Sequence, residues 1–229
     1  MRRFKASAED VRERLAEVRA RVADAATAAG RPPAGVRILV ATKYVAPADM
    51  GALRDAGIRL IGENRAQDLV AKHELYGDAF EYHFIGHLQS RKVRLVVPIV
   101  TLIHSVCSAS VVQEIEARAA NATDVLLEVN IGGEQSKSGV ALEEVDAFLE
   151  AAAASPKARF TGLMSMPPLF DDAEEARPFF ERARELAQRL SARWSGTYTF
   201  EQLSMGTSAD YEVAVQEGAT IVRVGSVLF

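Results

Sequence analysis

Apolar runs of strand length alternate along this chain with stretches of helical periodicity. The first run, residues 36–41, is rich in β-branched and other apolar residues and follows a proline- and glycine-containing segment at 31–35. Such a run predicts a strand that is buried on both faces. Seven similar runs follow, at residues 58–61, 80–85, 101–104, 125–129, 160–163, 198–203 and 220–224.

Amphipathic stretches of helical length separate these runs. They cover residues 47–56, 64–75, 88–97, 108–120, 142–153, 173–193 and 209–217. Strands that alternate with helices predict an α/β protein with a parallel sheet, and eight short strands favour a TIM (β/α)8-type barrel over a doubly wound open sheet. No linker interrupts the pattern, so residues 1–229 are predicted to form a single domain with the barrel at 36–229.

An additional helix is predicted at residues 6–29, before the first strand. Ser7 is the expected N-cap, with Asp10 three residues further on. The predicted apolar face of this helix consists of Val11, Leu15, Val18 and Val22. Because the helix precedes the first strand, we expect it to pack on the outside of the barrel.

Composition narrows the classes of function. The 229 residues carry a formal net charge of −4, which argues against binding driven by nucleic-acid phosphates. A single cysteine, Cys107, excludes an intramolecular disulfide and a zinc site built from cysteines. No apolar run approaches the roughly 20 residues that a membrane-spanning helix needs, and no apolar signal core follows the N-terminus. The expected location is the cytoplasm.

Candidate chemistry lies where the predicted strands end, because active sites of such barrels lie at the C-terminal ends of the strands. Lys43 directly follows the first strand. In a partly dry, cationic site its amine would be neutral and could form a Schiff base with an aldehyde. The alternative is a solvated loop lysine.

The corners after the seventh and eighth strands are rich in small residues. They contain Ser204, Gly206 and Ser208 in one corner and Gly225 and Ser226 in the other. Accessible backbone N–H groups, and a helix that begins near Ser208, would suit a phosphate, although tight turns and helix caps explain the same residues. A Schiff-base lysine opposite a phosphate site indicates a ligand with an aldehyde and a phosphate. Pyridoxal 5′-phosphate (PLP) fits that description.

Short motifs in the same order as in one known family extend over nearly the whole chain. They are Ala41-Thr42-Lys43, Gly62-Glu63-Asn64, HFIGHLQ at 83–89, HSV at 104–106, EQSKSG at 134–139, GLMSM at 162–166, LSMG at 203–206 and VRVGS at 222–226. On these motifs the sequence resembles the YggS/PROSC family of pyridoxal phosphate homeostasis proteins. That resemblance implies a barrel like the N-terminal domain of alanine racemase and PLP bound to Lys43.

The resemblance also implies roles for the other candidate residues. Ser204, Ser208, Gly225 and Ser226 would hold the phosphate. Asn64 would lie near the cofactor ring, and Met164 would line the pocket. Arg223 would face the pyridine nitrogen and keep it unprotonated, because an arginine there only donates. The ring would then be a weak electron sink.

The function implied is a carrier that holds PLP as a Schiff base, limits the free aldehyde and delivers the cofactor to apo PLP-dependent enzymes. We expect a monomer without enzymatic turnover. One alternative is a small racemase that uses Lys43 and a second base such as His87. Another is a cofactor-free Schiff-base aldolase, and a pure scaffold is the least favoured interpretation because it would not need Lys43.

Other polar residues are expected to be structural. His83 is predicted to be a satisfied histidine inside the third strand, and Cys107 is predicted to be inert. Lys72 and His73 are expected on an exposed helix face. Lys137 is interpreted as a solvated loop lysine, with a secondary PLP contact as the alternative. The histidines and acidic residues show no spacing typical of metal ligands.

Overall fold

Eight parallel strands form a closed barrel in the computed structural model, which describes residues 6–133 and 138–229. The strands are β1 (Arg37–Ala41), β2 (Leu60–Glu63), β3 (Glu81–Phe84), β4 (Leu102–Val106), β5 (Thr123–Val129), β6 (Ala158–Ser165), β7 (Gln202–Thr207) and β8 (Ile221–Val224). Each strand pairs with the next, and β1 pairs with β8 to close the barrel. The predicted TIM-type barrel is confirmed.

Helices surround this barrel. In the described residues they are α1 (Ala8–Ala28), α2 (Met50–Asp55), α3 (Ala66–Tyr76), α4 (Val93–Val96), α5 (Ala109–Arg118), α6 (Val145–Ala152), α7 (Arg177–Arg193) and α8 (Tyr211–Gln216). Single turns of 3₁₀ helix lead into α2, α4, α6 and α7. Several predicted helices therefore begin with a tighter turn, as is common at helix N-termini.

The N-terminal helix α1 has the start and the face that its sequence predicts. Ser7 and Asp10 form a capping box, in which the Ser7 hydroxyl accepts from the Asp10 N–H and the Asp10 carboxylate accepts from the Ser7 N–H. The predicted apolar face is buried against α2 and α8. Arg21 forms an ion pair with Glu212 and lies 5.7 Å from the ring centroid of Tyr211. The helix thus packs on the outside of the barrel, against the helices that precede β2 and β8.

Two apolar layers hold the barrel together. The larger core lies between the strands and the helices, where alternate strand residues meet helix faces such as that of α7. A smaller cluster fills the interior of the barrel and consists of Leu39, Leu102, Leu126, Met164 and Ile221. Buried polar side chains lie further along the same strands, towards the C-terminal ends.

The seventh strand begins four residues later than predicted, at Gln202 instead of residue 198. The apolar residues before it are buried, but Phe200 has a positive φ of 53° and Tyr198 packs its ring edge-on against Phe160. Their hydrophobicity thus serves the packing of a loop. The strand also ends four residues later than predicted, at Thr207 instead of residue 203, and this places Ser204 inside β7, and not in the corner after it.

Candidate functional site

Lys43 lies in the corner after β1, as predicted. Its side chain is exposed, and its ammonium group lies 5.1 Å from the ring centroid of Tyr44, which is itself exposed. Such a distance is typical of a cation–π contact. The partly dry surroundings that the sequence analysis required for a neutral amine are therefore absent from this conformation. The amine is instead accessible to a ligand from solvent.

A buried ionic cluster lies directly behind this corner. Lys72, on α3, forms an ion pair with Glu63 and donates a hydrogen bond of 2.8 Å to the carbonyl of Thr42. The Thr42 hydroxyl donates to the same carboxylate. Lys72 has 1% of its side chain exposed, so its predicted place on an exposed helix face is wrong. The cluster ties α3 and β2 to the residue that precedes Lys43.

Asn64 follows β2, next to the Lys43 corner. Its side-chain Oδ1 is buried and has no hydrogen-bond partner among the described residues. The backbone of Asn64 is in close contact with Gly86, where a Cβ atom would lie 2.2 Å from the Asn64 carbonyl oxygen. The corners after β2 and β3 thus meet tightly, and the lone acceptor of Asn64 requires a donor that the described chain does not provide.

The corner after β8 meets the corner after β7. The Ser208 hydroxyl accepts a 3.0 Å hydrogen bond from the Gly225 N–H, while Ser226 is exposed beside it. The helix expected near Ser208 is α8, which begins at Tyr211, three residues after Ser208. Asp210 accepts from the N–H and the hydroxyl of Thr207 and so closes the turn.

Arg223 points into the barrel from β8 and is almost fully buried. Its guanidinium donates to the carbonyl of Ser204 at 2.7 Å, to the Ser204 hydroxyl at 2.5 Å and to the carbonyl of Ser165 at 3.0 Å. Burial lowers the pKa of Arg223 to about 10, against the opposing charges of Asp210 and Glu128. The group is therefore still a cation near neutral pH.

Ser204 does not share the corner with Ser208 in the way that the sequence predicted. Its side chain is fully buried, accepts from Arg223 and lies 2.8 Å from Nδ1 of His104. The structure therefore places this hydroxyl with the arginine and a histidine inside the barrel. The later end of β7, at Thr207, is the physical reason for the difference.

Two buried histidines continue from Ser204 across the interior. His104 contacts His83 at 2.9 Å between ring nitrogens, and His83 contacts the Glu81 carboxylate at 3.1 Å. His83 is thus a satisfied structural histidine inside β3, as predicted. His104 lies within β4 and not at its end, because β4 extends to Val106.

Glu128 was not singled out by sequence reasoning. It projects from β5, accepts from the Ser138 hydroxyl through one oxygen, and its Oε2 is buried without a partner among the described residues. Burial, together with the nearby Glu128, raises the pKa of the Cys107 thiol to about 11, in agreement with an inert cysteine. The sequence signal for Glu128 was an acidic residue within the otherwise apolar run 125–129.

The remaining predicted residues occupy less specific positions. Met164 packs into the interior cluster, and its Cα is paired with that of Ser204 in the sheet. His87 is exposed after β3, and His73 packs edge-on against Tyr82 at 5.4 Å. Lys137 lies outside the described residues. Across the described parts of the chain, no group of three metal-ligating side chains converges, and no helix has the length and hydropathy to cross a bilayer.

The candidate cofactor-binding residues come from one continuous arc of five neighbouring strands in the closed sheet. Asn64, Lys43, Arg223, Ser208 and Met164 belong to β2, β1, β8, β7 and β6 or to the corners after them, and these strands are consecutive neighbours in the closed sheet. Gly225 and Ser226 follow β8 on the same arc.

A family model described as the N-terminal domain of alanine racemase matches residues 13–229. The pyridoxal phosphate homeostasis protein of Aquifex aeolicus (strain VF5) is 40% identical over 95% of this chain and 96% of its own length. This chain belongs to the family of pyridoxal phosphate homeostasis proteins. The protein of that name from Escherichia coli (strain K12) is 35% identical, with 96% of each chain covered.

A solved structure supports the membership in this family. PipY of Synechococcus elongatus PCC7942, described with PLP bound, superimposes with a TM-score of 0.82 at 31% identity, over 96% of this chain and 99% of PipY. The resemblance that the motifs suggested is thereby confirmed at the level of family and fold.

Proposed function

We propose that this chain binds PLP as a Schiff base on Lys43 and takes part in PLP homeostasis and delivery. The observation that carries the proposal is the single arc of Lys43, Asn64, Arg223, Ser208 and Gly225 at the mouth of the barrel. The arc combines an accessible amine, a buried acceptor, a guanidinium and a corner of small residues. The PLP-bound state of PipY and the names of the relatives support the same ligand.

The residues of the arc fit the chemical groups of PLP. When bound, PLP supplies an aldehyde that condenses with an amine and a pyridine ring that can withdraw electrons. Lys43 offers the amine, and the buried Oδ1 of Asn64 offers an acceptor to a hydroxyl group of the ring. Ser208, Gly225 and Ser226 form the corner in which we place the phosphate, in contact with a hydroxyl and backbone N–H groups.

Arg223 is proposed to face the pyridine nitrogen. Since it remains a cation and can only donate, it favours an unprotonated nitrogen. In the assignment proposed here, Ser204 supports Arg223 and does not contact the phosphate. Met164 contributes to the apolar floor, because it packs with Ile221, two residues before Arg223.

The exposure of Lys43 favours a PLP carrier over an enzyme. A cofactor held by an exposed amine can be exchanged with a recipient, whereas catalysis at an amino acid requires a positioned second base. His87, the base considered for a racemase, is exposed and contacts no catalytic partner among the described residues. We therefore propose a monomeric cytoplasmic carrier that meets apo PLP-dependent enzymes transiently and has no turnover of its own.

The deciding experiment is trapping with borohydride. The purified protein is incubated with PLP, its visible spectrum is recorded, and the reduced adduct is mapped by mass spectrometry. Lys43→Ala is expected to abolish both the band and the adduct. Lys157→Ala is the matched control, because Lys157 lies at the opposite end of the barrel, before β6. An adduct that persists at another lysine in Lys43→Ala would overturn the assignment.

Exchange of the α-proton of free amino acids in deuterated water separates the carrier from the racemase. We expect no exchange above the rate of free PLP. Exchange that is present in the wild type and absent in Lys43→Ala would establish the enzyme instead.

A further inference from the structure

A continuous line of hydrogen bonds crosses the interior of the barrel from Glu81 to Arg223. Glu81 is the first residue of β3, and its carboxylate lies 3.1 Å from Nε2 of His83. Nδ1 of His83 lies 2.9 Å from Nε2 of His104, whose Nδ1 lies 2.8 Å from the Ser204 hydroxyl. Arg223 completes the line at 2.5 Å from that hydroxyl. The N-terminal end of β3 is thus connected to the guanidinium near the mouth.

The chemistry of the two ends fixes the direction of each hydrogen bond in this line. Arginine only donates, so the Ser204 oxygen accepts from Arg223 and its own proton is free to point to His104. An ionised carboxylate only accepts, so His83 carries its proton on Nε2 and accepts at Nδ1. His104 must then also be neutral and carry its proton on Nε2. Both ends therefore require that each group donates its hydrogen bond to the next, from the Arg223 guanidinium to the Glu81 carboxylate.

The surroundings favour these protonation states. Burial lowers the pKa of His83, and it lowers that of His104 further, with His83, Arg223 and Arg37 acting in the same sense on His104. The hydrogen bond from His83 lowers the pKa of Glu81 to about 2, with further contributions from Arg37 and Thr101. Two neutral rings therefore lie between a cation and an anion, an arrangement in which aligned hydrogen bonds polarise one another.

We propose that His104 and His83 are positioning residues for Arg223, which they hold through Ser204 in one orientation toward its ligand. The oriented hydroxyl presents a lone pair to Nη1, and the histidines prevent it from rotating away. This inference rests on the proposed function, because the ligand group that Arg223 would face is the pyridine nitrogen of PLP.

Filling of space does not account for these two histidines. The same barrel fills its interior elsewhere with leucine, isoleucine and methionine side chains, and polar groups cost free energy on burial unless they are fully hydrogen-bonded. Every ring nitrogen of His83 and His104 has a partner in the line. A fully paired polar line fixes geometry in a way that apolar packing does not.

The first test measures the protonation states of His83 and His104 in PLP-free protein. Long-range ¹H–¹⁵N NMR of the histidine side chains distinguishes the two neutral tautomers from the cation. We expect His83 and His104 to be neutral with the proton on Nε2. A protonated ring, or a proton on Nδ1 of either histidine, would overturn the proposal whether or not the protein binds PLP.

The second test asks whether His104 acts through Ser204. Wild type, His104→Leu, Ser204→Ala and the double variant are titrated with PLP, and the resonance of its ¹⁵N-labelled pyridine nitrogen is recorded. Each single variant is expected to weaken PLP binding about tenfold and to move the resonance, since a hydrogen bond to a charged group has this magnitude. The double variant should show no further loss.

His73→Leu is the matched control, because His73 packs against Tyr82 outside the line. It should leave the affinity and the resonance unchanged. Additive losses in the double variant, or an unchanged resonance in both single variants, would refute the positioning role while PLP binding on Lys43 stands. If His104→Leu does not fold, His104→Asn takes its place beside Ser204→Ala. His104→Asn should keep part of the affinity for PLP, because its amide oxygen still accepts from Ser204. Absence of any Lys43 adduct in wild type would instead refute the proposed function, and the NMR test would still decide the line.

Discussion

Two lysines adjoin Thr42, Lys43 along the chain and Lys72 through a hydrogen bond, and they differ in burial and in charge pairing. Lys43 is exposed and contacts the Tyr44 ring, whereas Lys72 is buried and paired with Glu63. Both lie at the C-terminal end of β1, and Lys72 binds the carbonyl that is bonded to the Lys43 nitrogen. The buried lysine is fixed by its ion pair, so it holds the corner. The exposed lysine is the one that a ligand can reach.

The largest effect that would test this comparison is the loss of PLP from Lys43→Ala. We expect no borohydride-trapped adduct, because Lys72, the other described lysine near this corner, is buried in its ion pair with Glu63. The free energy of unfolding should change by less than about 0.5 kcal/mol, since the side chain is exposed. Chemical denaturation and adduct mapping measure the two effects on the same sample. A large loss of stability would show that Lys43 supports the fold, and the contrast with Lys72 would fail.

Lys72→Met should give the opposite result, a large loss of stability. Removing one partner of a buried ion pair leaves the Glu63 carboxylate uncompensated and costs roughly 3–5 kcal/mol. The double variant Lys72→Met with Glu63→Gln should be more stable than Lys72→Met alone, because it removes the unpaired charge. Urea unfolding near neutral pH measures both. A single variant that is as stable as wild type would contradict the buried pair.

The dependence of stability on pH should reveal the buried histidines. Burial lowers the pKa of His83 and of His104 below the ordinary value of 6.5, so below about pH 6.5 the unfolded chain binds protons that the folded chain does not. The free energy of unfolding therefore decreases as the pH falls below about 6.5, and above that pH the two histidines add no further dependence on pH. Each histidine should contribute about 1.4 kcal/mol per pH unit to the slope of the free energy of unfolding against pH.

Urea unfolding between about pH 5 and about pH 7 measures this slope, in a range where Glu81 stays ionised in both states above its ordinary pKa of 4.5. His104→Leu should lower the slope by about one proton equivalent. An identical slope in wild type and variant would show that His104 does not stay neutral in the fold.

The sequence predicted the barrel because strand and helix periodicity are local properties, and it located Lys43, Asn64 and Arg223 because they lie at or near strand ends. It misplaced Ser204, since an apolar loop before β7 has the same composition as a strand.

The sequence also missed the burial of Lys72. A charged residue on a helix reveals its partner only when the fold brings Glu63 to it, and this contact depends on packing between α3 and β2. Glu128 was missed for a related reason, since its surroundings come from the residue after β4 and from the segment after β5.

A small effect on stability, with a clear effect on PLP binding, is expected for Asn64→Ala. The Asn64 Oδ1 has no partner among the described residues, so its loss removes an uncompensated buried acceptor together with a few packing contacts. The free energy of unfolding should change by less than about 1 kcal/mol, while the dissociation constant of PLP rises about tenfold through a lost hydrogen bond. Calorimetric titration with PLP measures the affinity, and urea unfolding of the PLP-free protein measures the stability. An unchanged affinity would mean that the ligand leaves this acceptor unpaired, and Asn64 would then belong with Lys72 among the residues that shape the corner.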